Sequence, residues 1–129
     1  MPKIAFICVG NSCRSQMAEA IAKQLCNNPD YEFVSAGSSP AKETAPNALA
    51  VLRKIAINWD SKPKSIKTIL DKGAINIVVT MGCEVTCPFI PGAKVINWAI
   101  PDPIGKDIAE YRKTLNLIKE KVMKLLKDL

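Results

Sequence analysis

Two spacings of apolar residues alternate along the chain. Ile4-Ala5-Phe6-Ile7 and the run from Ile75 to Thr80 are short and nearly continuous, as strands buried on both faces are. Between and after them, apolar positions recur every three or four residues, the period of a helix with one buried face. The pattern predicts a first strand from Lys3 to Val9. A helix follows from about Ser15 to Leu25, carried by Met17, Ala18, Ile21, Ala22 and Leu25 and stopped by Asn27-Asn28-Pro29. A second strand spans Tyr31 to Ala36 and ends at Gly37; a loop from Ser38 to Pro46 leads to a second helix over Asn47 to Ile55. After the polar stretch Asn58 to Lys64 come a short helix over Ser65 to Leu70 and a third strand over Ile75 to Thr80. The loop Met81 to Gly92, a fourth strand over Lys94 to Trp98 and the loop Ala99 to Lys106 complete the middle of the chain. The closing helix has the clearest stripe: Ile108, Tyr111, Leu115, Ile118, Val122, Leu125 and Leu129. Strands that alternate with helices predict an α/β fold, a parallel sheet covered on both faces.

Length and charge narrow the class. The 129 residues predict one catalytic domain over 1–129, which would bury roughly two-thirds of its unfolded surface. Eighteen Lys+Arg against 12 Asp+Glu give a net charge of +6, suited to an anionic substrate. The basic residues are scattered, aromatics are few and no nucleic-acid motif appears, so no nucleic-acid partner is expected. No apolar run reaches the ~18 residues of a membrane span, and the lysines of the last helix read as the solvated side of a core-packed element. The N-terminus enters a strand directly, without a signal peptide, so a soluble cytoplasmic monomer is expected. In that compartment the five cysteines are not a disulfide scaffold. With no histidine in the chain, no metal site is predicted either.

The candidate chemistry begins where the first strand ends. Cys8-Val9-Gly10-Asn11-Ser12-Cys13-Arg14-Ser15 places a cysteine and an arginine at the two ends of a tight turn between a strand and a helix. Such a turn aims successive N–H groups inward as a nest for a tetrahedral oxyanion. Val9, Gly10, Asn11, Ser12, Cys13 and Ser15 are the oxyanion-loop candidates, with Gly10 and Asn11 expected to supply positive φ. Arg14 offers a planar fork to two oxygens. Cys8 lies in the same positive field, which should lower its thiol pKa and make it a nucleophile. Ser15 can hydrogen-bond the thiolate.

The loops after strands one, three and four should meet on one sheet edge, which would gather Cys8, Arg14, Cys83, Cys87 and Asp102. Asp102, held between Pro101 and Pro103, is placed to protonate a departing oxygen. Cys8, Arg14 and Asp102 alone would suffice for a phosphatase working through a phosphocysteine. Cys83 and Cys87 add a second option, a thiol relay. Cys8 attacks a reducible oxyanion centre, Cys83 attacks Cys8, and Cys87 attacks Cys83, leaving a Cys83–Cys87 disulfide for an external dithiol. On a helix the two would be i,i+4 neighbours with Cβ atoms ~5–6 Å apart. A disulfide needs ~3.5–4.5 Å, so the relay predicts a segment that rearranges.

The residues from Cys8 to Ala20, with Ser35-Ala36-Gly37, Val79 to Cys83, Cys87-Pro88 and Asp102 to Lys106, resemble the thioredoxin-coupled arsenate reductases. These share a fold with the low-molecular-weight protein tyrosine phosphatases. The resemblance covers nearly the whole chain. It implies an open four-stranded parallel sheet with helices on both faces, phosphatase-like and flavodoxin-like. It also implies Cys8 as nucleophile, Arg14 as oxyanion clamp, Asp102 as acid, and Cys83 with Cys87 as the shuttle pair. The substrate would be arsenate, with phosphate or sulfate as analogues. The reductant would be thioredoxin or another external dithiol, with no bound cofactor. Only Glu84-Val85-Thr86 separates the shuttle cysteines, fewer residues than in many members. Asn11, Glu19 and Ser35 match part of a potassium site found in some members. Lys62-Pro63-Lys64 stands where those members have its other ligands, and a lysine there can supply the positive charge instead. Against the phosphatase alternative, Ile104 stands where such phosphatases usually carry an aromatic, and Gln16 where they usually carry proline.

Overall fold

A computed structural model describes residues 2–82 and 90–129 of the chain. Its elements run β1 (Lys3–Cys8), α1 (Arg14–Leu25), β2 (Glu32–Gly37), α2 (Pro46–Lys54), α3 (Ile66–Leu70), β3 (Ile77–Thr80), β4 (Lys94–Asn97) and α4 (Ile108–Asp128). Each lies within two residues of its sequence-based bounds, the ordinary uncertainty at element ends. The four strands form one parallel sheet in the order β2-β1-β3-β4. That order reverses direction at β1, so the crevice outside the carboxyl ends of β1 and β3 is the switch point where such sheets bind ligands.

The alternation of β1 divides the core in two. Ile4, Phe6 and Cys8 face a layer built from α1, α2 and α4, where Met17, Ile21, Leu52, Ile118 and Val122 are almost fully buried. Phe6 stacks on Phe33 at 6.4 Å and tilts against Trp98 at 5.8 Å. Ala5 and Ile7 face the other side, where Ile69 of α3 packs with Ile75, Val78 and Ile90. Helices therefore cover both faces. The lysines of α4 alternate with its buried stripe, and among the described residues no helix is long and apolar enough to cross a membrane.

Register sets the site. Cys8 pairs with Gly37, Ile7 with Thr80, and Thr80 with Asn97, so the four strands end on one line. The loops that leave those ends share one edge of the sheet.

Candidate functional site

The turn from 9 to 13 is shaped by its neighbours. Four main-chain N–H groups of the loop after β2 donate to its carbonyls: Ser38 to Cys8 at 3.2 Å, Ser39 to Val9 at 2.9 Å, Ala41 to Gly10 at 2.9 Å and Ala45 to Ser12 at 2.8 Å. A trans peptide points its N–H opposite its carbonyl. Pulling the carbonyls of Cys8, Val9, Gly10 and Ser12 outward therefore turns the N–H groups of Val9, Gly10, Asn11 and Cys13 inward. The Asn11 N–H lies 3.2 Å from Cys8 Sγ. Side-chain pattern marks residues 38–46 only as a loop, yet the backbone of that loop is what holds the nest open. Gly37 belongs to the same construction, since a Cβ there would stand 2.5 Å from the Val9 carbonyl oxygen and 2.9 Å from Asn11 N.

One expectation about this turn is corrected. Asn11 takes positive φ, at 49°, but Gly10 is not among the residues with positive φ. The left-handed step falls on Asn11 alone, whose buried side chain holds it there. Asn11 Nδ2 donates to Ser15 Oγ at 2.8 Å and to Ser35 Oγ at 3.0 Å, and Oδ1 accepts the Lys64 N–H at 2.8 Å.

A pocket of about 210 Å³ opens over the turn, lined by Cys8, Val9, Gly10, Ser12, Cys13 and Arg14, with Asp102 and Ile104 as its other wall. Asn11 and Ser15 are fully buried behind the sulfur, with Ser15 Oγ 2.8 Å from Cys8 Sγ. Arg14 is clamped from the far side: its Nη1 donates to the Met81 and Ile100 carbonyls. Its Nη2 lies 3.6 Å from Asp102 Oδ2. Gly82, at φ +83°, admits this arginine, because a Cβ there would stand 2.8 Å from Nη1. Asp102 is half exposed and its Oδ1 accepts the Ile104 N–H at 3.1 Å, which fixes the tip of the loop between the two prolines. A wider cleft of about 760 Å³ shares Arg14 and Asp102 and extends over Gly82, Asn97 and Ile100. Cys8, Arg14 and Asp102 thus converge as the topology required. Cys83 and Cys87 lie outside the described residues, and so does the expected rearrangement of their segment.

Burial pushes the Cys13 thiol far above the ordinary range, and the Asp102 and Cys8 charges push it the same way. It remains a neutral thiol at physiological pH. Behind the turn, buried Glu19 receives the Ser35 hydroxyl at Oε1 (2.5 Å) and Lys23 Nζ at Oε2 (2.7 Å), while Lys64 Nζ lies 3.9 Å from Oε1. Burial lowers the Lys64 ammonium from its usual range, and Glu19 opposes that shift.

The family described as low molecular weight phosphotyrosine protein phosphatase matches residues 3–129. The chain belongs to that family. Among its relatives, an arsenate reductase of Staphylococcus aureus is 35% identical over 122 residues, 90% of this chain and 89% of that protein. Family resemblance extends to solved structures. An arsenate reductase of Archaeoglobus fulgidus superposes with a TM-score of 0.83 at 30% identity, over 96% of this chain and 98% of that one. A thioredoxin-dependent arsenate reductase of Corynebacterium glutamicum superposes with a TM-score of 0.81 at 32% identity, over 99% of this chain and 61% of that longer one. This branch of the family is the one that the residues around Cys8, Cys83 and Cys87 resemble in sequence.

Proposed function

We propose that this protein is an arsenate reductase in which Cys8 is the nucleophile and Cys83 and Cys87 carry electrons to an external dithiol. The observation that supports it most is the pocket itself: a cysteine sulfur under a ring of inward N–H groups, with an arginine beside it and a carboxyl group opposite. Arsenate is a tetrahedral oxyanion, and the nest meets its oxygens with main-chain donors. With Nη1 held by two carbonyls, the Nε and Nη2 edge of Arg14 is the fork that meets the anion.

Cys8 thiolate attacks arsenic, and Asp102 gives a proton to the departing oxygen, which leaves as water. Cys83 thiolate then attacks the Cys8 sulfur. The sulfur–arsenic bond breaks, and its electron pair goes to arsenic, which leaves as arsenite. Cys87 attacks Cys83 and frees Cys8, leaving a Cys83–Cys87 disulfide. Arsenate has gained two electrons and the cysteine pair has lost two. Thioredoxin, the donor named for the Corynebacterium relative, is the dithiol assigned to restore the pair. Cys83 follows Gly82 in sequence, and the Gly82 backbone lies against the Arg14 guanidinium. Slow hydrolysis of phosphate esters by Cys8, Arg14 and Asp102 accompanies this activity. Half-exposed Ile104 at the rim gives an aryl ester less to stack on than an aromatic would.

The test couples arsenate to NADPH consumption through purified thioredoxin and its reductase. The parent protein should consume NADPH only with arsenate, and Cys83→Ser should fall to background while keeping hydrolysis of a chromogenic phosphate ester. Loss of both activities together would make Cys83 structural and end the relay. After one turnover without reductant, peptide mapping should find Cys83 joined to Cys87; a Cys8–Cys13 bridge would contradict the route.

A further inference from the structure

Gln16 is fully buried next to the serine that touches the nucleophile, and the mechanism above gives it no task. All of its polar atoms are nonetheless engaged. Oε1 accepts the Trp59 indole N–H at 2.7 Å, and Nε2 donates to the Lys62 carbonyl and to Asn11 Oδ1, both at 3.2 Å. An indole nitrogen can only donate and a main-chain carbonyl can only accept. Chemistry at both ends therefore fixes which way the Gln16 amide faces, an orientation that amides otherwise leave ambiguous. Its Nε2, with the Lys64 N–H on the same oxygen, requires Asn11 to turn Oδ1 backward and Nδ2 toward the two serines. Ser15 Oγ is then occupied as an acceptor by Asn11, and its own proton is left for Cys8 Sγ at 2.8 Å. With the Asn11 amide reversed, Ser15 would give that proton to the amide oxygen, and an ionised Cys8 would lose a donor.

We propose that Gln16 and Trp59 are positioning residues for the nucleophile: they fix the donor direction of the chain Trp59–Gln16–Asn11–Ser15, so that the Ser15 hydroxyl points its proton at the Cys8 sulfur. The inference rests on the reading of Cys8 as nucleophile. Segment 59–64, more than forty residues away in sequence, thus governs the ionised state of the pocket without touching it. Among the described residues, the charged and titratable groups that face this region are Arg14, Glu19 and Lys23 of α1, Cys13 at its start, Asp102 before α4, Tyr111 of α4, Lys64, and Lys72, whose charge acts on Lys64. Gln16→Met removes none of them, so a shift at Cys8 in that variant reports the hydrogen-bond chain; Trp59→Phe keeps an aromatic ring under the Lys23 ammonium, which lies 5.4 Å from the centre of the Trp59 ring.

The experiment follows alkylation of Cys8 by iodoacetamide against pH, with the modified peptide identified by mass spectrometry, in the parent, Gln16→Met and Trp59→Phe. Gln16→Met should leave the high-pH plateau unchanged and move the midpoint upward. Below the midpoint, alkylation should slow about three- to ten-fold, less than outright loss of a bond to a charged group would give, because the Lys64 N–H still holds Asn11 Oδ1. Trp59→Phe should move the midpoint the same way by less, because the Lys62 carbonyl still orients Gln16. An unmoved midpoint in Gln16→Met overturns the proposal, an unmoved one in Trp59→Phe overturns the part given to Trp59, and Gln16→Leu replaces Gln16→Met if that variant does not fold. If the parent shows no alkylation at Cys8, or Cys8→Ser still reduces arsenate, the nucleophile assignment has failed; an unmoved midpoint on a reactive Cys8 condemns only the positioning role.

Discussion

Gly37 lies in β2, yet its missing side chain shapes the turn that follows β1. A methyl group there would meet the Val9 carbonyl and the Asn11 nitrogen, both main-chain atoms that cannot swing aside. Gly37→Ala should therefore destabilise the protein by about 1–3 kcal/mol, as overpacking does, and weaken phosphate or arsenate binding in the same variant. Denaturant unfolding and calorimetric titration with phosphate would measure the two effects; intact anion binding would show that the turn does not depend on this contact. Cys13 gives a second test. Its thiol is raised by burial, so the folded state holds a proton that the unfolded chain releases near pH 9. Its contribution to stability is complete below that pH and declines as pH rises. Between pH 8 and 10.5 the parent should lose more stability than Cys13→Ala, measured by urea unfolding at each pH; parallel curves would rule the contribution out. That Cys8, Arg14, Ser15 and Asp102 lie together could be expected from the sequence, because the signals are local: a spacing of six, an adjacent hydroxyl, a carboxyl group between prolines in a loop at the same sheet edge. The roles of Gly37, Gln16 and Trp59 could not, because each depends on a partner at least twenty residues away that only folding brings near.

At the scale of elements, α4 shows how a legible helix is started. Asp107 caps it, accepting the Glu110 N–H at 3.2 Å, and Glu110 places a negative charge in the first turn, where the helix dipole favours it. Asp107→Ala should lower stability by about 1 kcal/mol and lower the midpoint of thermal unfolding while leaving arsenate turnover unchanged. A matching fall in turnover would mean that the cap also holds the Asp102 loop. The periodic helices and apolar strands could be read from sequence because their spacing is their structure. The 38–45 segment could not, since its role lies in main-chain N–H groups, which every residue but proline possesses and no side-chain pattern advertises. Gly10 illustrates the converse: a glycine suggested a left-handed step that a buried, fully bonded asparagine takes instead.

For the molecule as a whole, the parallel sheet follows from the alternation of strands and helices, and its register brings Arg14 from α1 and Asp102 after β4 beside the sulfur at the end of β1, with Gly82 after β3 against the Arg14 guanidinium. The layer of α1, α2 and α4 packs behind that edge on one face of the sheet, and α3 covers the other face. The convergence was legible because strand ends in such a sheet share an edge whatever their order.

The lashing of residues 38–45 to the turn after β1 has a consequence for how this scaffold changes over time. A cup knitted from amides does not care which side chains hang from its lip. Val9, Ser12 and Ile104 are thus free to drift and retune what enters, while the grip on a tetrahedral anion is inherited intact.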